Sequence, residues 1–130
     1  MSIALKRAYE APASKDGRRI LVDRVWPRGV SKEELHLDGW FREVAPSTQL
    51  RKWFGHDPER WSEFEKRYRA ELRKSGMREP LEELAAMAKR GKVTLVYGAH
   101  DEEYNQAVVL RDYLKKLIGT RAASKRKTAK

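Results

Sequence analysis

The stretch Leu21-Val22-Asp23-Arg24-Val25-Trp26-Pro27-Arg28-Gly29 sets two opposite charges at the end of an apolar run and then breaks it with a proline. Charges beside a core need partners, because burying one alone costs several kcal/mol. Arg24 and Arg28 have the chemistry of an anion clamp, since each guanidinium offers paired N–H donors that match a phosphate or a carboxylate. Trp26 would wall such a pocket. Lys32 follows closely, at a helix start opened by Ser31 whose free N–H groups also suit an anion. Asp23 reads as a structural charge that takes backbone N–H groups. Arg24 has a structural alternative of its own, holding a carboxylate from a neighbouring helix.

Two histidines stand beside carboxylates, His56-Asp57 and His100-Asp101. A histidine next to a carboxylate at a loop tip is the usual setting of a general acid or base. His56 is therefore the candidate acid/base, with His100 beside it and Asp57 or Asp101 orienting a histidine. The plainer reading makes both aspartates helix caps. Tyr97 and Asn105, at a strand end and one turn into the last helix, are further candidates to touch a ligand. The spacing carries no metal-ligand signature, so neither metal nor cofactor is expected. Arg28-Gly29-Val30-Ser31 lacks the glycines and the Lys-Ser or Lys-Thr pair of a nucleotide phosphate loop. No Gly-x-Ser-x-Gly elbow is present either.

The elements that must position these residues follow from pattern. Ile3, Leu5 and Arg7 alternate with Ala4, Lys6 and Ala8 as a first strand, and Asp16-Gly17 turns the chain towards a second strand over Arg19–Trp26. The local reading of that pair is a hairpin, because a parallel crossover ordinarily needs a longer connection. Ser31 caps a short helix, and Leu50, Trp53 and Phe54 mark another that Gly55 closes. Asp57-Pro58 opens a third, with Trp61, Phe64, Tyr68 and Leu72 on one face. Leu81, Leu84, Ala85 and Ala88 face inward on a fourth. Val93–Tyr97 is nearly continuous apolar chain, as a strand buried on both faces would be. Asp101 is the expected cap of the last helix, whose core face carries Ala107, Leu110, Leu114, Leu117 and Ile118.

The expected class is α/β: a small two- or three-layer domain, with a short, mainly parallel sheet of about three strands covered by about four to five helices. One domain would span 1–118, followed by a basic, unstructured tail over 119–130. That tail holds five basic residues and no acid, half of the net charge of +10. The remaining 118 residues are only mildly basic, with 24 basic and 19 acidic side chains. The chain has no cysteine, which removes disulfides and thiolate metal sites. No apolar run approaches the ~20 residues of a membrane span, and the N-terminus enters a strand pattern without a signal-peptide core. A cytoplasmic protein that does not engage a membrane is the expectation.

Four stretches together resemble the YeaO-like group within the domain of unknown function 488. They are Leu21–Gly29, Leu50–Glu59, Trp61-Ser62-Glu63-Phe64 with Arg67-Tyr68, and Val93–Asn105, and the likeness runs from about Ile3 to Leu117. It implies a parallel α/β sheet and a site, without an activity. The wider family carries Cys-His-Arg on the last helix, where this chain has Tyr104-Asn105-Gln106, so thiol chemistry does not carry over.

In open α/β sheets ligands lie beyond the carboxyl ends of the strands. Here those ends are Asp23–Gly29 and Tyr97–Asp101. The leading reading is a small anionic ligand bound there, with or without catalysis. One alternative is a nucleic-acid-binding module that uses the basic surface and the C-terminal tail, the tail adding weak, nonspecific contacts. A second is an interaction domain with no pocket chemistry. The residues set neither the oligomeric state nor the reaction.

Overall fold

The computed structural model describes residues 2–128, with side chains through residue 119. Four strands form one sheet: β1 (Ser2–Arg7), β2 (Arg18–Leu21), β3 (Gly39–Trp40) and β4 (Lys92–Tyr97). Their order is β1-β4-β2-β3, and every pairing is parallel. Five helices accompany them: α1 (Lys32–Leu35), α2 (Thr48–Phe54), α3 (Trp61–Leu72), α4 (Arg78–Arg90) and α5 (Gln106–Thr128). The α/β class and the parallel sheet are as the sequence predicts.

The hairpin is not formed. β4 lies between β1 and β2 and pairs with both, from Ser2↔Lys92 to Arg7↔Tyr97 on one side and from Arg18↔Val93 to Leu21↔Val96 on the other. The most apolar strand takes the position where both faces and both edges are covered, and Val93–Tyr97 are all buried. The short connection reverses through a single 3-10 turn at Ser14–Asp16. Gly17, at φ +66°, then passes the backbone of β4, where a Cβ would sit 2.3 Å from the Lys92 carbonyl oxygen. Only glycine fits that approach. β2 is also shorter than the expected strand, so Asp23 and Arg24 stand beyond its end. The fourth strand, β3, has just two residues and no alternation to reveal it.

Alternation along the central strands divides the core. Ile20 and Val22 join Val93, Leu95 and Tyr97 on one face, under Phe54, Phe64, Tyr68, Leu84 and Leu110 from α2–α5. Leu21 and Val96 point the other way, under Leu35 of α1 and the rings of Trp26 and Trp40. The result is three layers, thick on one side and thin on the other.

Caps fall largely where expected. Ser31 and Glu34 form a reciprocal capping box, and Gly55 closes α2 at φ +53°. Asp57 accepts from the Glu59 N–H ahead of a 3-10 turn, Pro58–Arg60, that runs into α3. The unstructured tail expected over 119–130 is helical as far as its backbone is described, since α5 runs to Thr128, while its side chains from 120 on and its last two residues lie outside the described residues. No helix among the described residues is long and apolar enough to cross a membrane.

Candidate functional site

A cleft of about 300 Å³ opens at the carboxyl ends of β2 and β4. Its walls come from six places: Tyr9 after β1, the 23–28 segment after β2, Gly98–His100 after β4, the 45–46 segment, the C-terminal half of α2 and the His56 turn after it with Phe64 of α3, and the start of α5 with Asn105 before it. Arg24, Trp26, Arg28, His56, His100 and Asn105 all line it, so the two strand ends and the His56 turn do meet. This is the crevice that open α/β sheets present.

Asp23 is the floor. One oxygen accepts the Gly98 N–H at 2.8 Å and the other accepts the Gln106 side-chain amide. Gly98 permits this approach, because a Cβ there would lie 2.9 Å from the Asp23 carboxylate. The Trp40 indole N–H donates to the Asp23 carbonyl at 2.7 Å and fixes the backbone. Among the described residues Asp23 has no ion pair. Burial pushes its carboxyl up to about 6, against smaller opposing effects of the Gly98 N–H, the Arg51 charge and Gln106.

The three cleft arginines differ in what holds them. Arg24 donates to the Pro46 and Ala45 carbonyls at 3.0 and 3.1 Å, so it braces a wall instead of holding a helix carboxylate. The same wall is held by Glu71, which accepts from the Ser47 N–H and hydroxyl, and by the Tyr68 hydroxyl on the Val44 carbonyl. Arg28 is exposed. Its carbonyl is fixed by the Tyr9 hydroxyl at 3.0 Å. Its guanidinium has no hydrogen bond or ion pair among the described residues. Arg51 also lines the cleft, and its guanidinium likewise has no hydrogen bond or ion pair among the described residues, although its charge is felt at Asp23.

The histidines and their neighbouring acids separate. His56 lines the cleft from a left-handed backbone position, φ +58°, with its ring centroid 6.0 Å from that of Phe54. Asp57 does not reach the cleft; its oxygen accepts the Glu59 N–H at 3.0 Å. His100 lies at the rim with Nδ1 3.1 Å from an Arg7 guanidinium nitrogen, and Arg7 also donates to the Ala99 carbonyl. Asp101 accepts the Tyr104 and Glu103 N–H groups, each at 2.9 Å, and these hold its carboxyl below the usual range with a smaller contribution from His56.

Four placements correct the sequence reading. Asp101 is not the cap of the last helix, because its turn ends before α5 begins. Asn105 is that cap: its carbonyl oxygen accepts the Val108 N–H at 3.2 Å while its amide donates to the Asp101 carbonyl at 2.8 Å. Tyr97 is buried in the core beneath β4 and does not line the cleft; burial, then Glu102 and Glu10, hold its hydroxyl above the usual range. Lys32 stands on a four-residue helix away from the cleft, and the Ser31 N–H there is already bonded to the Glu34 carboxylate at 3.0 Å. Among the described residues no group of three or more histidine, aspartate or glutamate side chains is placed to hold a metal ion.

Arg51 and Gln106 are the site residues that sequence reasoning misses. Arg51 sits one turn before Phe54 and Gln106 directly after Asn105, both of which that reasoning singles out, but no local pattern separates a helix arginine facing a cleft from one facing solvent.

A short parallel sheet with a cleft at its strand ends defines a small α/β domain. The profile of the family described as "Inactive DUF488-N3 subclade" matches residues 2–129, and the chain belongs to that family. It is 43% identical over 120 residues to the uncharacterized protein YeaO of Escherichia coli (strain K12), covering 90% of this chain and all of that one. It is 39% identical over 112 residues to the uncharacterized protein Rv3073c of Mycobacterium tuberculosis (strain ATCC 25618 / H37Rv), covering 86% of this chain and 92% of that one. No solved structure gives a significant match.

Proposed function

We propose that this domain binds a small anionic ligand, bearing a phosphate or a carboxylate, in the cleft at the strand ends, and that it binds without turnover. The observation that carries the reading is the contrast among its arginines. The guanidinium groups of Arg28 and Arg51, two residues that line the cleft, have no hydrogen bond or ion pair among the described residues, while that of Arg24 is engaged with two carbonyls. Guanidinium groups aimed at a concave surface are donors set for an oxyanion.

Binding rather than catalysis is the better match because the candidate catalytic acids have other work. Asp57 and Asp101 accept backbone N–H groups, and His100 faces Arg7. Neither aspartate orients a histidine through a hydrogen bond among the described residues. The word "inactive" in the family's description agrees with this.

Titration of the ¹⁵N-labelled protein with inorganic phosphate at neutral pH tests the reading. Amide shifts are expected at Gly29, His56, Gly98 and Asn105, and their loss in Arg28→Ala or Arg51→Ala. Shifts scattered over the basic surface, unchanged in those variants, would overturn it.

A further inference from the structure

We infer that the cleft's ligand is an aryl anion: one aromatic ring joined to a single phosphate or carboxylate head, rather than a free inorganic ion. The inference rests on the anion-binding reading and concerns what the anion is attached to. Among the described residues three large apolar side chains are exposed, Tyr9, Val25 and Tyr104. Two of them, Tyr9 at 47% and Val25 at 55%, line this cleft. Exposed apolar groups scattered singly carry no message, but two at the mouth of one concave site do.

Each unpartnered arginine is tied through the backbone to an aromatic residue that also lines the cleft, although the Tyr9 ring itself packs against the Arg7 guanidinium, 5.2 Å from its centroid. Tyr9 holds the Arg28 carbonyl through its hydroxyl. Arg51 lies three residues before Phe54 on α2, a spacing that makes helix neighbours. Phe54 in turn stacks on Phe64, with centroids 4.3 Å apart and planes at 22°. The cleft therefore pairs cationic donors with aromatic wall on two separate elements. A hydrated phosphate would occupy the donors and leave the walls wet. A ring on the same head removes that apolar surface from water, at about 25 cal/mol per Å². The volume of about 300 Å³ stands at the lower bound of the ~300–1,000 Å³ of small-molecule sites, which suits one ring and its head better than a dinucleotide.

Calorimetric titrations with inorganic phosphate, phenyl phosphate, benzoate and benzyl alcohol test this in the full chain. Phenyl phosphate or benzoate is expected to bind at least tenfold more tightly than inorganic phosphate, and the tighter of the two identifies the head. Benzyl alcohol, with a ring and no charge, is expected to bind more weakly than either. Tyr9→Ala is expected to erase the preference for the ring. Tyr9→Phe, which keeps the ring, and Val25→Thr, which keeps the shape, separate loss of contact from loss of the Arg28 tether. The first should retain the preference and the second should reduce it. Inorganic phosphate binding as tightly as both aryl anions would overturn the aryl inference and leave the anion reading standing. No binding of any anion would overturn both, and so would benzyl alcohol binding as tightly as the aryl anions.

Discussion

The two ends of the sheet treat buried charge in opposite ways. At the end where β2 and β4 start, Asp16 is buried and meets two cations, Arg19 at 2.7 Å and Lys6 at 3.2 Å. It also accepts the Ala13 N–H, and Arg19 donates to the Leu35 carbonyl. Burial alone would raise the Asp16 carboxyl, but the Ala13 N–H, Lys6 and Arg19 together bring it below its ordinary value. At the other end Asp23 is half-buried against a backbone N–H and an amide, and desolvation raises its carboxyl. The cations near Asp23 are not bonded to it; one braces a wall and two face the cleft. Charge matched within the protein holds a scaffold together, while charge left unmatched beside a cavity is available to a ligand.

Removing Asp16 should have the largest effect. Asp16→Asn leaves Lys6 and Arg19 without their carboxylate in a buried setting, and losing one partner of such a pair costs roughly 3–5 kcal/mol. That is a large share of the ~5–15 kcal/mol that holds a domain together. Denaturant unfolding at neutral pH measures it, and a loss below about 1 kcal/mol would erase the contrast between the two ends.

Asp23→Asn should behave differently, and its sign should depend on pH. The folded carboxyl titrates at about 6 against an ordinary 3.8, so the folded protein holds this proton more tightly than the unfolded chain does. The stability from this group is fully present below the ordinary value and is lost as pH rises through about 6. Between pH 8 and pH 5 the wild type should gain about 1 kcal/mol relative to Asp23→Asn. Asparagine keeps an acceptor for Gly98, and a turned Gln106 amide can accept from it, so the variant should equal or exceed the wild type in stability at pH 8. Chemical denaturation of both proteins across that range is the check. A pH-independent loss as large as that of Asp16→Asn would make Asp23 an ionised scaffold charge after all.

The same contrast explains what the sequence discloses. Phe64, Tyr68 and Leu72 write a helix face, Ser31 and Glu34 write a cap, and Val93–Tyr97 writes a doubly buried strand, because each depends on neighbours close in the chain. Asp23 and Arg28 are legible as anomalies, since charges at the end of an apolar run conflict with burial. Their partners are not legible. Gln106 lies 83 residues from Asp23, and the carbonyls that engage Arg24 belong to residues with no side-chain signal. Arg51 looks like any helix arginine until the sheet order is known. The hairpin fails for a related reason: the turn chemistry at Asp16-Gly17 is real, but which strand enters beside β1 is decided by the apolar strand β4, some 75 residues later in the chain.

The central claim is that the cleft arginines serve a ligand and not the fold. Thermal unfolding of the wild type, Arg28→Ala and Arg51→Ala, each with and without inorganic phosphate, tests it most directly. Without phosphate all three should unfold together, because exposed groups without partners contribute within about 0.5 kcal/mol. With phosphate the wild type should gain in midpoint through linkage and the variants should not. Variants that melt as early as Asp16→Asn, or that keep the full phosphate-induced rise, would contradict the account.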